Sequence, residues 1–424
     1  MCIIITPRVM ESDFIFDRGP AEHFHGRTEI IDTFNSALKA FRKKKKGTTF
    51  LIQGAPGAGK TALLDVLAQH AKKRGWKTAH ITPNALWNPQ DLFPILKKRR
   101  GRQINRLGAG ADIGNIGAAN VSVGIETPAH TIIRLLQKQR KPLLLILDEA
   151  QILGLKGGIP DDMKSVAISV LKQIHNGDLG KPVMFLAGGL GTTEPTLTTL
   201  GISRFMRRCK VPLGCLSKES TCAVIRDFLI HEGGISKPPL KWIETIAERT
   251  HGWPQHIVSY ADPAAKYLAS HRSPTDDGLN MVLQQGRAEQ IEYYDQRAHE
   301  LDEHKREALA IAVIDVPVDG TMTSPAIKSS LKKSGLTQKE ADSLFTLALD
   351  KGIIDKRKGG RYGIPIPSMH RWLIEEYGKG KSQDVQPPTK GSPPPTGEDQ
   401  ERVKKDKDDG EGKGKDRGGF SMER

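Results

Sequence analysis

The chain has 424 residues, and its 64 Lys and Arg residues outnumber its 49 Asp and Glu residues, which leaves a formal charge of +15. This length exceeds what one compact core usually holds, so we expect more than one domain. The longest aliphatic run, 143–147, is far too short to span a bilayer, and four scattered Cys residues exclude a disulfide framework. We therefore expect a cytoplasmic protein with reduced thiols and no membrane partner.

The positive charge lies in the part of the chain that can fold. The stretch 378–424 contains eleven cations and ten acids but few large apolar residues, so we predict a disordered charged tail. Two cation clusters precede it, one at 42–46 and one at 97–106. A solvated surface and contact with a polyanion explain such clusters equally well, and both interpretations stay open.

A short apolar strand at 48–53 runs directly into a glycine-rich P-loop, 54–61. The loop matches GxxxxGK[ST] with the residues Gly54, Ala55, Pro56, Gly57, Ala58, Gly59, Lys60 and Thr61. Glycines allow successive backbone N–H groups to surround an anion, and the N-terminus of the following helix adds partial positive charge. We predict that these residues bind nucleotide phosphates, with Lys60 at the outer phosphates and the Thr61 hydroxyl on Mg²⁺.

A second motif supplies the carboxylates that phosphate chemistry requires. The all-apolar strand 143–147 ends in Asp148 and Glu149. Ligands gather at the carboxyl ends of buried parallel strands, so both side chains should face the phosphates. We predict that Asp148 joins the Mg²⁺ shell and that Glu149 polarises the attacking water.

Two more apolar segments, 77–81 and 183–187, alternate with helical patterns. Such alternation implies right-handed crossovers, so the predicted fold class is α/β, a parallel sheet with helices on both faces. The segment 108–124, where Gly and Ala alternate with Asn and Ile, shows no helical period. We predict an inserted loop or hairpin there.

The order of these motifs resembles the AAA+ superfamily of ATPases. The P-loop and the acidic pair are preceded by Phe24-His25-Gly26-Arg27 and followed by Gly252-Trp253-Pro254. The resemblance is to the branch that origin-recognition-type initiators share with the STAND signalling ATPases. It implies an AAA+ core at 14–215, in which Gly26 and Arg27 contribute to nucleotide binding near the adenine.

The same resemblance implies an arginine that reaches into the site of a neighbouring subunit. The stretch 201–208 lies where the family usually carries it, and Arg204 is the candidate catalytic residue. A guanidinium offers a fixed fork that stabilises charge on a transferring phosphoryl group. The alternative is that these arginines pair with surface acids or belong to the basic face of the molecule.

Helices without strands follow and resemble the AAA+ helical lid, at 216–302. We predict them at 217–231, 239–250, 254–270 and 278–301. The resemblance implies that Pro254, with His256 as a weaker candidate, contacts the nucleotide. The third lid helix begins without the arginine of initiator-type members, so we expect a lid that has no arginine of its own at the γ-phosphate. The resemblance also implies a polar sensor residue after the fourth strand, for which the sequence supplies only Thr192 or Thr193.

Residues 303–377 contain three predicted helices and a hairpin, which together resemble a winged helix. Ser324 before a proline indicates an N-cap, and Thr337 with Glu340 indicates a capping box. Four cations suited to DNA phosphates lie on the hairpin turn, namely Lys356, Arg357, Lys358 and Arg361. The alternative is that this module packs on the ATPase core as an internal switch.

The predicted function is that of an ATPase that binds ATP and Mg²⁺ and whose nucleotide state controls self-association and DNA-associated action. The expected partners are a second copy of the chain, double-stranded DNA and an unidentified protein. The alternative is a STAND-like signalling switch that acts through protein partners, with the winged helix as its internal switch element.

Overall fold

The computed structural model describes residues 23–44, 48–97, 127–155, 157–203, 205, 209–271, 273–318 and 320–378. The predicted insert 108–124, Arg204 and the predicted tail beyond Gly378 lie outside the described residues. The second cation cluster is described only at Lys97.

A parallel sheet of five strands forms the centre of the described part. In chain order the strands are β1 Thr48–Gln53, β2 Lys77–His80, β3 Leu143–Leu147, β4 Val183–Gly189 and β5 Lys210–Pro212. Their spatial order is β2-β3-β4-β1-β5, and every pairing is parallel. Strands β1, β3 and β4 are buried along their whole length. The predicted parallel α/β sheet is confirmed, with β5 as an addition that three residues without an apolar run do not reveal.

Helices cover both faces of the sheet. They are α1 Thr28–Lys44, α2 Lys60–Lys73, α3 Pro89–Lys97, α4 Pro128–Gln137, α5 Asp161–Asn176 and α6 Thr193–Thr199. Successive side chains of a strand point to opposite faces, so Phe50 and Ile52 pack with α1 and α2. Leu51, between them, packs with α4 and α5 on the other side. Because β1 is covered on both faces, its carboxyl end lies at the centre of the described part of the chain.

The lid consists of α7 Lys218–His231, α8 Leu240–Thr250, α9 Pro254–His271 and α10 Asp276–Ala298. These bounds lie within three residues of the predicted ones. The helices enclose a separate cluster of buried side chains that includes Trp242 and Tyr260. None of the described helices is long and apolar enough to cross a membrane.

The winged helix follows the lid with helices and a small antiparallel sheet. Its elements are α11 Glu303–Val313, β6 Met322–Thr323, α12 Ser324–Lys333, α13 Gln338–Asp350, β7 Asp355–Lys356, β8 Arg361–Gly363 and α14 Pro367–Tyr377. The strand order is β6-β8-β7. The capping box of Thr337 and Glu340 is formed as predicted. Neither β6 nor α14 is among the predicted elements, although Met369, Trp372 and Leu373 give α14 a helical apolar spacing.

The predicted N-cap at Ser324 is wrong by one residue. Thr323 is the cap, because its backbone is still extended in β6 and its hydroxyl accepts the N–H of Ala326 at 3.4 Å. Ser324 is therefore the first helical residue, and the proline after it remains compatible with the first turn, where no N–H acceptor is needed.

Candidate nucleotide-binding site

The P-loop joins the central strand β1 to the N-terminus of α2. Gly57 and Gly59 adopt left-handed backbone conformations, with φ of 75° and 81°, which glycine adopts without steric cost. Lys60 is buried, at 5 % exposure, and its ammonium donates to the carbonyls of Gly54 at 3.1 Å and Ala55 at 3.3 Å. The loop thus encloses its own cation at the start of a helix, which is an anion-binding arrangement.

Burial is the main influence on the pKa of Lys60. Removal from water lowers the pKa of Lys60 from its ordinary value, and the nearby carboxylates of Glu149 and Asp148 oppose that shift. The ammonium lies 3.9 Å from Oε1 of Glu149. A phosphate beside Lys60 would add negative charge and favour the protonated amine further.

Asp148 follows β3 and meets the P-loop at the carboxyl edge of the sheet. The Thr61 hydroxyl donates to Oδ2 of Asp148 at 2.6 Å. A hydroxyl and a carboxylate are hard oxygen ligands, and Mg²⁺ in nucleotide sites uses one or two carboxylates together with substrate phosphates. The chemistry of Thr61 and Asp148 therefore fits the predicted metal.

Glu149 lies beside this pair and lines the same cleft. Its backbone is left-handed, with φ of 50°, and its N–H donates to Oδ1 of Asp148 at 2.9 Å. A non-glycine residue in this conformation is uncommon and turns the side chain away from the strand direction. Glu149 also accepts a hydrogen bond from the Gln151 amide, a partner that no motif indicates.

The cleft has a volume of about 380 Å³ and runs from the P-loop to the segment 23–27. That end is lined by rings and aliphatic side chains, among them Phe24, Val224, Phe228 and Ile257. His25 forms a 2.6 Å contact with Asp227 of α7, which ties the segment to the lid. An apolar end next to a cationic, phosphate-type end has the polarity of a nucleotide.

Gly26 and Arg27 hold the segment 23–27 in place. The Arg27 guanidinium donates to the carbonyls of Gly214 and Cys215 while it lines the cleft, and burial lowers its pKa. A Cβ on Gly26 would lie 2.7 Å from the Ser220 hydroxyl oxygen, so only glycine fits against α7. Both predicted residues therefore shape this end of the cleft.

The start of α9 closes over the P-loop. Pro254 lines the cleft, and the N–H of Gln255 donates to the carbonyl of Gly57 at 3.1 Å. His256, the weaker candidate, is fully buried beside α10 and α14 instead. Its Nδ1 faces the amide nitrogen of Gln290 at 3.1 Å and the hydroxyl of Ser368 at 3.3 Å.

Two residues of α10 that are not among the predicted site residues also reach the site. The Tyr293 hydroxyl donates to the carbonyl of Pro56 at 2.8 Å. Arg297, one helical turn later, lines the cleft close enough to Lys60 to lower the pKa of that amine. The fourth lid helix thus brings an arginine to the cleft, so the prediction of a lid without an arginine of its own at the site is wrong. Tyr293 and Arg297 are four residues apart and so lie on one face of α10, which is the one indication in the sequence that they act together.

The winged helix touches the same loop from the other side. A Cβ on Gly352 would lie 2.5 Å from Cδ of Pro56, and Gly352 has φ of 67°. Asp355 of β7 packs against Gly191, which follows β4, and burial raises the pKa of its carboxyl. The P-loop is consequently contacted by the core, the lid and the winged helix.

The four wing cations occupy different environments. Lys356 is exposed and Arg357 is half-buried. Arg361 binds the residue before β6, since its Nε donates to the Thr321 hydroxyl at 2.8 Å and Nη2 donates to the Thr321 carbonyl. The side chain of Lys358 lies outside the described residues.

Comparisons with known proteins agree with this geometry. Residues 23–185 match the model of the AAA ATPase domain family. The fold is similar to that of the ORC2 protein of Aeropyrum pernix in its ADPNP and ADP complexes, with a TM-score of 0.52 and 15 % identity over 83 % of this chain and 93 % of that chain. A Walker-type ATPase of Pyrococcus abyssi gives a TM-score of 0.50 and 13 % identity over 82 % and 96 % of the two chains.

Among proteins with curated descriptions, none matches the sequence significantly. The family match covers the P-loop, Asp148 and Glu149, and the similarity in fold extends over the lid and the winged helix. Residues 23–185 therefore match the AAA ATPase domain family, in a chain whose fold is similar to that of the Aeropyrum pernix ORC2 protein.

Proposed function

We propose that the chain binds ATP·Mg²⁺ between its core and its lid, hydrolyses it, and converts the nucleotide state into self-association and DNA-associated action. One observation carries the proposal: Lys60, Thr61, Asp148 and Glu149 converge on a cleft whose opposite wall is the lid. Binding of a nucleotide there would couple the two sides of the cleft.

Each residue has a role that its chemistry permits. Lys60 and the P-loop amides bind the β- and γ-phosphates. Arg27 and Pro254 lie along the part of the cleft that holds the base and the sugar. Glu149 orients the attacking water, and Arg204 of a neighbouring copy stabilises the transferred phosphoryl group. Bound Mg²⁺ would neutralise developing charge on the phosphate oxygens, with Thr61 and Asp148 as its protein ligands.

Two substitutions separate binding from hydrolysis. Lys60→Ala removes a buried phosphate contact, so we expect ATP affinity to fall by at least about tenfold, or about 1.4 kcal/mol. Glu149→Gln removes only the water-orienting carboxylate, so we expect unchanged affinity and a kcat lower by about 10²–10⁴-fold. Titration with a fluorescent nucleotide and a phosphate-release assay measure the two effects.

Lys72→Ala is the matched control, because Lys72 is an exposed lysine on the same helix α2. It should leave both affinity and kcat unchanged. Equal ATP affinity in wild type and Lys60→Ala would refute the assignment of the site.

The DNA-associated part of the proposal is supported by the exposed Lys356 at the wing and by the formal charge of +15. Each phosphate that a cation neutralises releases condensed counterions, so the log–log salt slope of DNA affinity counts the contacts. The triple variant Lys356→Ala, Arg357→Ala and Lys358→Ala should flatten that slope by about two to three units, on every sequence alike. Fluorescence anisotropy with duplex DNA at graded salt measures it.

The triple variant Arg42→Ala, Lys43→Ala and Lys44→Ala serves as the comparison, since these cations end α1 and are exposed. If only this variant flattens the slope, the DNA contact lies at α1 and the wing has no part in it. If the wild-type chain shows no affinity for DNA at low salt, the DNA-associated function is wrong.

A switch that acts through protein partners is the second candidate, and the contact between Gly352 and Pro56 favours it. A winged helix packed on the P-loop can be displaced or held according to the nucleotide. Limited proteolysis with ADP and with a non-hydrolysable ATP analogue would detect such movement, and DNA would have no effect on the pattern.

A further inference from the structure

Gln151 connects the carboxylate of Glu149 to the segment that follows β4. It lies in the short helical turn Ala150–Gly154, directly after the acidic pair. Its amide nitrogen donates to Oε2 of Glu149. Its amide oxygen accepts the N–H of Leu190 at 3.1 Å and the hydroxyl of Thr193 at 3.3 Å. One side chain therefore joins two parts of the site that are about 40 residues apart in sequence.

The orientation of this amide follows from its partners. A backbone N–H can only donate, so the oxygen of Gln151 must face Leu190. The NH₂ group must then face Glu149, whose ionised carboxylate can only accept. Hydrogen bonds to an ionised group are stronger than neutral ones, and this bond restricts the rotation of the Glu149 carboxylate.

The space beside the Gln151 amide is filled when these hydrogen bonds are formed. A Cβ on Gly189 would lie 2.3 Å from the amide oxygen of Gln151 and 2.1 Å from the Thr193 hydroxyl oxygen. No side chain fits at 189 while the bridge is formed. Thr193 is fully buried, so its hydroxyl has no access to water as an alternative partner.

We infer that Gln151 is a positioning residue for Glu149: it holds the carboxylate in the orientation that accepts a proton from the attacking water. The inference rests on the proposed hydrolysis of ATP. In that reaction the water oxygen forms a bond to the γ-phosphorus, the bond to the bridging oxygen breaks, and its electron pair leaves with ADP. The proton released by the water passes to Glu149.

The first test is Gln151→Ala, which leaves Glu149 without its donor. We expect kcat to fall at least tenfold while the dissociation constant of ATP changes by less than twofold. Thr193→Val removes one of the donors that fix the amide at nearly constant side-chain volume, and should lower kcat in the same direction by a smaller factor. Thr199→Val is the matched control, because Thr199 is an exposed residue of the same helix α6.

The second test gives a readout that a merely structural role would not move. Gln151→Glu keeps an acceptor for Leu190 and Thr193 but sets a second carboxylate against Glu149. Like charges raise the pKa of a carboxyl, so the acid limb of the kcat–pH profile should move to higher pH by about one unit. Thr199→Val should leave the profile in place.

The outcomes distinguish this inference from the proposed function. If Glu149→Gln is as active as wild type, the proposed hydrolysis at Glu149 fails. If Glu149→Gln is inactive but Gln151→Glu keeps the wild-type profile and Thr193→Val keeps the wild-type kcat, only the positioning role is overturned. These two variants retain the test even if Gln151→Ala does not fold.

Discussion

The imidazole of His256 is buried where the lid meets the winged helix. Its Nδ1 lies near Gln290 and Ser368, its ring packs edge-on against Tyr293 and Tyr294, and its Nε2 has no partner among the described residues. Burial lowers the pKa of His256 to about 3, and the positive charges of His251 and Arg287 act in the same direction. The folded protein therefore keeps this ring neutral.

This neutrality makes stability depend on pH. The ordinary pKa of the ring is 6.5 in the unfolded chain, so below that pH the unfolded state binds a proton that the folded state does not. The free energy of unfolding is unaffected above pH 6.5 and falls as the pH decreases towards 3. At pH 5 the loss from this group is about 2 kcal/mol.

We expect His256→Gln to unfold with a smaller difference in free energy between pH 7 and pH 5 than wild type, by about 2 kcal/mol. Urea titrations at the two pH values measure it. Any loss of packing in the variant cancels, because the comparison is between two pH values of one protein. His271→Gln, at an exposed position, is the control and should keep the wild-type difference. An unchanged difference in His256→Gln would contradict the prediction.

Residues of contiguous motifs can be predicted from the sequence, whereas those brought in by tertiary contacts cannot. Lys60, Thr61 and the acidic pair have fixed spacing relative to a strand and a helix. Tyr293 reaches Pro56 across 237 positions, and a tyrosine in a helix carries no mark of such a contact. The role of Gln151 cannot be predicted from the sequence for the same reason, since it depends on contacts with Leu190 and Thr193.

At the level of elements, the P-loop is held by three parts of the chain. The start of α9 donates a backbone N–H to Gly57, α10 donates the Tyr293 hydroxyl to Pro56, and the turn after α13 packs Gly352 on Pro56. Contacts of this kind keep a loop close to its binding conformation and reduce the entropy lost when a ligand binds.

Gly352→Ala tests the contribution of the winged helix to this arrangement. The added methyl group would meet Pro56, so the winged helix must move away from the P-loop. We expect nucleotide affinity to fall by about threefold or more because the loop loses preorganisation. Stopped-flow release of a fluorescent ADP analogue should show faster dissociation.

Gly335→Ala is a matched control in the same winged helix. Gly335 has φ of 96° and no atom within 4 Å of an added Cβ. Both variants bear the cost of a left-handed alanine, roughly 1–2 kcal/mol, but only Gly352→Ala collides with the P-loop. Equal nucleotide release in the two variants would mean that the contact has no effect on the site.

Most helices can be predicted from apolar periodicity, as the close bounds of α7 to α10 show. The same signal is present in α1, where Phe34, Ala37 and Leu38 are buried, although α1 is not among the predicted helices. Short strands such as β5 and β6 cannot be predicted, because two or three residues do not establish a period and their pairing partners decide their conformation.

At the scale of the whole molecule, the site is expected to require a second copy. Arg204 is predicted to act on the nucleotide of a neighbour, so activity per molecule should rise with protein concentration until assembly is complete. Arg204→Ala should lower turnover and leave ATP affinity near the wild-type value. Steady-state ATPase assays over a concentration series, together with light scattering, measure both.

Mixing experiments sharpen this prediction. Glu149→Gln retains Arg204, and Arg204→Ala retains Glu149, so a mixture of the two impaired variants should regain part of the activity in sites shared between copies. Arg249→Ala, an exposed arginine on α8, is the control and should keep full activity alone. Flat activity per molecule across the range of assembly, with no recovery on mixing, would contradict a shared site.

Domain order can be predicted because core, lid and winged helix differ in their periodic patterns. How tightly the three parts pack on one another cannot be predicted. One cluster of buried side chains runs from α1 and α2 through Trp253 and Tyr293 into the winged helix. A cluster of this kind depends on surface shapes that no local pattern encodes.

The hydrogen bond between the N–H of Gln255 and the carbonyl of Gly57 also makes the separation of lid and P-loop measurable by hydrogen exchange. Gln255 lies in the first turn of α9, where backbone amides have no acceptor within their own helix. Its amide hydrogen is therefore shielded only while the lid rests on the P-loop. The rate at which this one hydrogen exchanges with deuterium oxide therefore measures how often the start of α9 separates from the P-loop, with or without added nucleotide.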